Sequence, residues 1–424
     1  MEERTLTERD KAIIWHPYTQ MHKADAAITI VRGEGVYLIA DDGRKYIDAV
    51  SSWWVNIHGH AHPYIAEKVS EQLRTLGHSI FAGFTHPSAI ILAERLLEIL
   101  PANQAKVFYS DNGSTAVEVA LKMCLQYWRN KHMDRIKILT FNNSYHGDTF
   151  GAMAVSARGV FTEPFEKLLF QVEFIDTPNQ SNLQALKSKI SNLKSELAGF
   201  IYEPLIQGAC GMLMYDAADL DELLDHCRKE GILLIADEVM TGFGRTGKRF
   251  ATDHLNIKPD VMCFSKAITG GTMALGANTC TQDIFDAFLS DDKLLTLFHG
   301  HSFTANPVAC SAAIASMDLL EKPETAENIK RITKHHFQFM EKIKDHPKLR
   351  NVRQTGTIIA FEWETLEGTS YFNRFGDNLY NFFLEQGIIL RPLGNIIYIL
   401  PPYCITNKEL DYIYSKIEEA LERF

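Results

Sequence analysis

Five short apolar runs punctuate the chain, and each stops abruptly at a polar or charged group. They span residues 106–109, 136–141, 198–202, 232–236 and 261–264. Apolar runs of this length, bounded by turn residues, read as buried strands. Between them lie stretches with apolar positions at helical spacing, among them 116–131 and 216–229. Strands alternating with helices predict an α/β fold with a doubly wound, mostly parallel sheet. Ahead of these runs, a polar helix and two short strands (28–31 and 36–40) precede a stretch, 65–100, that reads as two helices. From about residue 325 the pattern changes to charged helices (327–344), short strands (351–354 and 357–363) and a final helix, which reads as a smaller α+β domain. The expected division is an N-terminal segment, 1–60, belonging with the small domain, a large domain, 61–324, and the C-terminal small domain, 325–424.

Open α/β sheets bind ligands at the carboxyl ends of their strands. There the five runs deliver Gly113-Ser114, Tyr145, Glu203, Asp237 and Lys266. A lysine and a carboxylate at two such ends suit pyridoxal phosphate. Lys266 would form a Schiff base with the aldehyde, and Asp237 would keep the pyridine nitrogen protonated. At about 4 Å and an effective dielectric near 20, that charge pair gains roughly 4 kcal/mol. Ser265 and Gly270-Gly271 leave room beside the lysine. Gly113-Ser114 opens a long amphipathic helix, whose free N–H groups and dipole suit a phosphate; a plain cap by Ser114 or Thr115 would use the same residues. Tyr145 is placed to stack on a flat ring, while His146 fits a structural role as well as a functional one. Glu203 would face an arginine, a substrate amine or an internal ion pair. A second turn of small hydroxyl residues, 298–307, could also touch phosphate.

Other features narrow the picture. Trp53 and Trp54 are adjacent and costly to expose; ordinary packing would account for both, and the functional reading has one of them wall an apolar channel. Arg391 stands among apolar residues and wants a carboxylate, from substrate or from the chain. Residues 242–247 match G-x-G-x-x-G, but four residues separate them from Asp237 and no long helix follows, so a nicotinamide-dependent oxidoreductase is disfavoured. His58, His60 and His62 alternate beside Gly59 and Pro63 and read as a turn, with no metal site. A net charge of −10 argues against nucleic-acid binding. The seven cysteines form no C-x-x-C pair and fit a reducing, cytoplasmic setting. No apolar run approaches membrane-spanning length, and the polar first residues are no signal peptide.

Four segments then carry a family resemblance: SDNGSTAVEVALKM, NNSYHGDTFGAMAVS, ADEVMTGFGRTGKRFA and PDVMCFSKAITGG. Over nearly its full length the chain resembles the class III, fold-type I, pyridoxal-phosphate-dependent aminotransferases. The stretches WHPYTQM, DAVSSWWVNIHGHAHP and LRPLGNIIYILPPY are similar to the branch of that family that serves biotin synthesis. The resemblance implies ping-pong transfer of an amino group to 8-amino-7-oxononanoate, giving 7,8-diaminononanoate by way of pyridoxamine phosphate. It favours S-adenosylmethionine as donor and leaves lysine open; a transaminase of the ornithine or 4-aminobutyrate type is the alternative. It gives Lys266 and Asp237 the catalytic roles, and phosphate and ring contacts to Gly113, Ser114 and Tyr145. Tyr18, Trp53 and Trp54 would shape the substrate pocket, Arg391 would take a carboxylate, and Arg245 would also face the pocket. Gly300, His301 and Ser302 match a segment that reaches phosphate across the interface of a homodimer. Many members carry Pro-Thr where this chain has His301-Ser302, and a serine hydroxyl can still donate.

Overall fold

The computed structural model describes residues 4–370 and 373–424. Its centre is a seven-stranded sheet in the order Gln104–Ser110, Gly276–Thr281, Val261–Phe264, Leu233–Asp237, Leu197–Tyr202, Lys137–Phe141 and Val172–Ile175. Gly276–Thr281 runs antiparallel to both of its neighbours, and the other six strands run the same way. Successive residues of the central strands face opposite layers. Ile138, Ile201, Leu233 and Ile235 pack under the helix Gly113–Asn130. Leu139, Phe200, Tyr202 and Leu234 belong to the other layer, with Leu186 and Leu223 of the helices Leu183–Leu193 and Ala217–Lys229. Burial on both faces explains why these strands read as continuous apolar runs rather than alternating ones.

Two strands of this sheet escape the sequence reading. Gly276–Thr281 is polar, yet it is buried almost throughout because its polar groups are matched. Asn278 donates to the Ala116 carbonyl at 2.8 Å and Thr279 to Gln104 Oε1 at 2.7 Å. Val172–Ile175 is a short, half-buried edge strand.

The two ends of the chain meet in a second sheet. Ile30–Glu34, Tyr37–Ala40 and Lys45–Asp48 form an antiparallel meander, and Ile388–Ile389 joins it parallel to Lys45–Asp48. A third, antiparallel sheet of Leu349–Thr355, Ile358–Trp363 and Ile396–Ile399 packs with the helices Pro323–Ile343 and Asn407–Arg423. Phe339 and Tyr414 stack between those helices at 4.1 Å. Pro307–Leu320, built of small apolar residues, packs against Pro63–Thr75 and Pro87–Ile99. No helix among the described residues is long and apolar enough to cross a membrane.

Candidate active site

Gln104–Ser110, Lys137–Phe141, Leu197–Tyr202, Leu233–Asp237 and Val261–Phe264 end on one edge of the sheet, and a cavity of about 510 Å³ opens there. Gly113, Ser114, Tyr145, Glu203, Asp237 and Lys266 all line it, together with Trp54. Five strand ends spread along the sequence thus converge on one volume.

Asp237 is buried at the end of its strand. One carboxylate oxygen meets His146 Nδ1 at 2.7 Å, and the other accepts the Val239 N–H at 3.1 Å. His146 is itself buried and fixed through its backbone N–H to Ser156 Oγ at 2.8 Å. This histidine therefore fixes the carboxylate in place. Glu203 accepts from the N–H groups of Tyr145 (2.9 Å) and Gly208 (3.0 Å), and so it ties the tyrosine loop to the next strand end. Burial pushes the Glu203 carboxyl up to about 7; the nearby His146 opposes that shift and Asp237 adds to it. Burial likewise lowers the Lys266 amine to about 8, against the pull of Asp237 and Glu203. Lys266 Nζ lies 4.4 Å from the centre of the Trp54 indole.

One end of the cavity fits an anion. Asn112, not Ser114, caps the helix: its side chain accepts from Thr115 N at 3.0 Å. Gly113 and Ser114 are left lining the cavity at the positive end of an 18-residue helix. Ser114 Oγ accepts the Asp148 N–H at 3.1 Å, which docks the tyrosine loop on the helix start. A Cβ added at Gly113 would come within 2.8 Å of Val239, so the cradle has no room for a side chain. A reactive lysine, a buried carboxylate and an anion cradle in one cavity are the donor set pyridoxal phosphate requires.

Beside this cavity lies an aromatic cluster. The Tyr18 hydroxyl donates to Asp148 and sits 3.3 Å from the Tyr145 hydroxyl. Its ring meets the edge of Trp53 at 5.4 Å. The Arg391 guanidinium lies 4.2 Å from the Trp53 ring centre, and no carboxylate pairs with it among the described residues. The backbone that delivers both tryptophans is unusual. Ser51, Ser52, Trp53 and Trp54 all have positive φ, from 46° to 73°. For residues with a Cβ such conformations cost on the order of 1–2 kcal/mol each.

One expectation is placed differently. Arg245 does not face the cavity. It is fully buried behind the wall, donating to the carbonyls of Pro401 (2.9 Å), Asn56 (3.1 Å) and Trp54 (3.3 Å). A guanidinium with five donors and no buried carboxylate partner takes backbone oxygens instead. Within one chain, Gly300, His301 and Ser302 do not line the cavity; Gly300 and Ser302 are exposed. Residues 242–247 form a turn that leads only into the short 3₁₀ segment Ala251–His254. The sequence reading missed Asp148 and the His146–Asp237 pair. The spacing HGD after Tyr145 was the available signal.

A family model for the class III aminotransferases matches residues 18–421. An adenosylmethionine-8-amino-7-oxononanoate aminotransferase of Synechococcus elongatus is 45% identical over 421 residues, covering 96% of this chain and 98% of that protein. The crystal structure of an enzyme with the same name from Methanocaldococcus jannaschii superposes with a TM-score of 0.95 at 37% identity, covering 99% and 98% of the two chains. An omega transaminase from Pseudomonas jessenii, crystallised in complex with PMP, superposes with a TM-score of 0.93 at 26% identity, covering 99% and 98%.

Proposed function

The chain belongs to the class III aminotransferases, and on that footing we propose that it converts 8-amino-7-oxononanoate to 7,8-diaminononanoate, with pyridoxal phosphate as cofactor and S-adenosylmethionine as amino donor. What carries this reading is the adjacency of two sites: the Lys266–Asp237 cavity, and the Tyr18–Trp53–Arg391 cluster reached through Tyr145. An acceptor with a long apolar chain and a terminal carboxylate needs aromatic walls and a cation set apart from the reacting amine. The curated relatives that carry the same enzyme name support it.

Pyridoxal phosphate, when bound, supplies an aldehyde for the amine and a ring that draws electrons from the carbon bearing it. Gly113 and Ser114 hold the phosphate. Asp237, braced by His146, would pair with the ring nitrogen. Lys266, which lines the cavity, would hold the cofactor through its aldehyde. Its Nζ, eased toward the neutral form by burial, is suited to take a proton from the substrate carbon and to give it back. Glu203 fixes the backbone of Tyr145, whose side chain walls the cavity. Donor and acceptor use this one site in turn, which gives ping-pong kinetics. The functional unit is a homodimer in which Gly300–Ser302 of one protomer completes the phosphate site of the other. Residues 1–60 and 325–424 form its smaller domain, around the large domain 61–324.

An absorbance titration tests the reading. The pyridoxal-phosphate-loaded protein is titrated with 7,8-diaminononanoate alone, and its visible band is expected to bleach as the amine moves to the cofactor. A band that ignores the diamine refutes the substrate assignment. No band at all refutes the roles of Lys266 and Asp237. S-adenosylmethionine and lysine are then compared as donors under the same conditions.

A further inference from the structure

Four consecutive left-handed residues require a clasp, and one carboxylate supplies it. Asp48 ends the strand Lys45–Asp48 and is fully buried. Its Oδ1 accepts the N–H groups of Ser52 at 2.9 Å and Val50 at 3.3 Å. Its Oδ2 accepts the Ser52 hydroxyl at 2.7 Å and faces His60 Nε2 at 2.9 Å. Neighbouring bonds fix the direction of that last contact. The Gly59 N–H donates to Asn56 Oδ1 at 2.7 Å, so the Asn56 amide nitrogen faces His60 Nδ1 at 3.3 Å. The imidazole proton is therefore on Nε2, aimed at Asp48. Four donors converge on one side chain, and a carboxylate has acceptor capacity for them all.

The turn held this way carries both tryptophans of the site. Its other side is closed by Ser51 Oγ donating to the Leu400 carbonyl at 2.7 Å and by Trp54 Nε1 donating to the Tyr398 hydroxyl at 3.1 Å. Arg245 grips the carbonyls of Trp54 and Asn56 from behind. Trp54 backs Lys266, and Trp53 backs Arg391. One strained turn thus carries the rings that meet both Lys266 and Arg391.

We propose that Asp48, oriented by His60, is a positioning residue of the active site: it locks the Ser51–Trp54 turn so that Trp53 presents Arg391 to the acceptor's carboxylate. The inference rests on the assignment of a carboxylate-bearing acceptor. It also makes a structural claim, the clasp itself, that stands apart from catalysis.

The test uses the loaded full-length protein with Asp48→Asn and, as a milder variant, Ser52→Ala. Asparagine sets an amide donor against the His60 proton and leaves the shape unchanged. Ser52 is exposed, so its alanine variant removes a single bond to the clasp and disturbs no core. Near-ultraviolet circular dichroism in the tryptophan bands, recorded without substrate, is expected to change in both variants. The KM for 8-amino-7-oxononanoate is expected to rise about 10-fold with kcat altered less than about 3-fold. In an Arg391→Ala background the KM effect of Ser52→Ala is expected to vanish, because the clasp acts through that cation. An unchanged tryptophan signal in Ser52→Ala overturns the clasp. A KM effect of equal size with and without Arg391 overturns the route through it. If the wild-type protein does not aminate this acceptor, the functional assignment fails, and the circular dichroism still decides the clasp. If Asp48→Asn does not fold, Ser52→Ala decides alone.

Discussion

The chemistry of the site turns on single side chains whose ionisation is displaced by burial. Lys266 is lowered to about 8 from an ordinary 10.5, so its neutral form is available near physiological pH. The rate at which the apoprotein captures pyridoxal phosphate should therefore rise about tenfold per pH unit below 8 and level off above it. Stopped-flow absorbance across pH 6–10 checks this; a plateau reached only above 10 would show an unperturbed lysine. Lys266→Ala is expected to lower transamination by about 10³-fold or more and to leave the cofactor dissociable on gel filtration. Glu203 is displaced the other way, to about 7 from 4.5. Between those values the folded apoprotein holds a proton that the unfolded chain has released. The contribution of Glu203 to stability is thus fully present below 4.5 and is lost as pH rises through 7. Glu203→Gln should flatten the thermal midpoint of the apoprotein across that window. It should also lower the midpoint overall, since its amide nitrogen meets one of the two N–H groups that Glu203 now accepts. Lys266 and Asp237 were legible in the sequence because each interrupts an apolar run at a strand end. Arg245 was misread for the opposite reason: its partners are main-chain oxygens, which no residue type announces.

At the scale of elements, the proposed cofactor cradle depends on where one helix begins. Asn112 and Thr115 form a reciprocal cap, with bonds of 3.0 and 3.1 Å. That cap frees the next N–H groups for an anion. Asn112→Ala should cost about 1 kcal/mol of stability. It should also weaken pyridoxal phosphate binding, measured by equilibrium dialysis of the apoprotein. A Cβ at Gly276 would come within 2.5 Å of the Asn112 carbonyl oxygen and 2.4 Å of Ser110 Oγ. Gly276→Ala must displace backbone at the helix start and should weaken cofactor binding more than Asn112→Ala does. The strands that contact this helix show what patterning reveals and what it hides. Runs such as Leu197–Tyr202 are buried on both faces and announce themselves. Gly276–Thr281 does not, because Asn278 and Thr279 are buried only by virtue of partners on other elements. The Ser51–Trp54 turn was hidden too. Its left-handed backbone is imposed by Asp48, a tertiary contact with no periodic signature.

For the whole molecule, the open question is which protomer owns the segment Gly300–Ser302. It is exposed in the single chain and flanked by Phe298 and Phe303, 67% and 61% exposed. Large apolar side chains on both sides of a polar turn are costly to leave in water and suit a subunit interface. If the proposed arrangement holds, each active site takes Lys266 from one protomer and Ser302 from its partner. Two inactive variants should then rescue each other. Lys266→Ala lacks the reactive amine but keeps the loop. Ser302→Asp keeps the amine and sets a carboxylate where phosphate must sit. When the two are unfolded, mixed in equal amounts and refolded, about half of the dimers are hybrids by random pairing. Each hybrid holds one site with both groups intact and one with both broken. Activity should therefore return to about one quarter of the wild-type value in a symmetric twofold dimer. Were Ser302 to serve its own protomer's site, every site in the mixture would carry one lesion, and mixing would restore nothing.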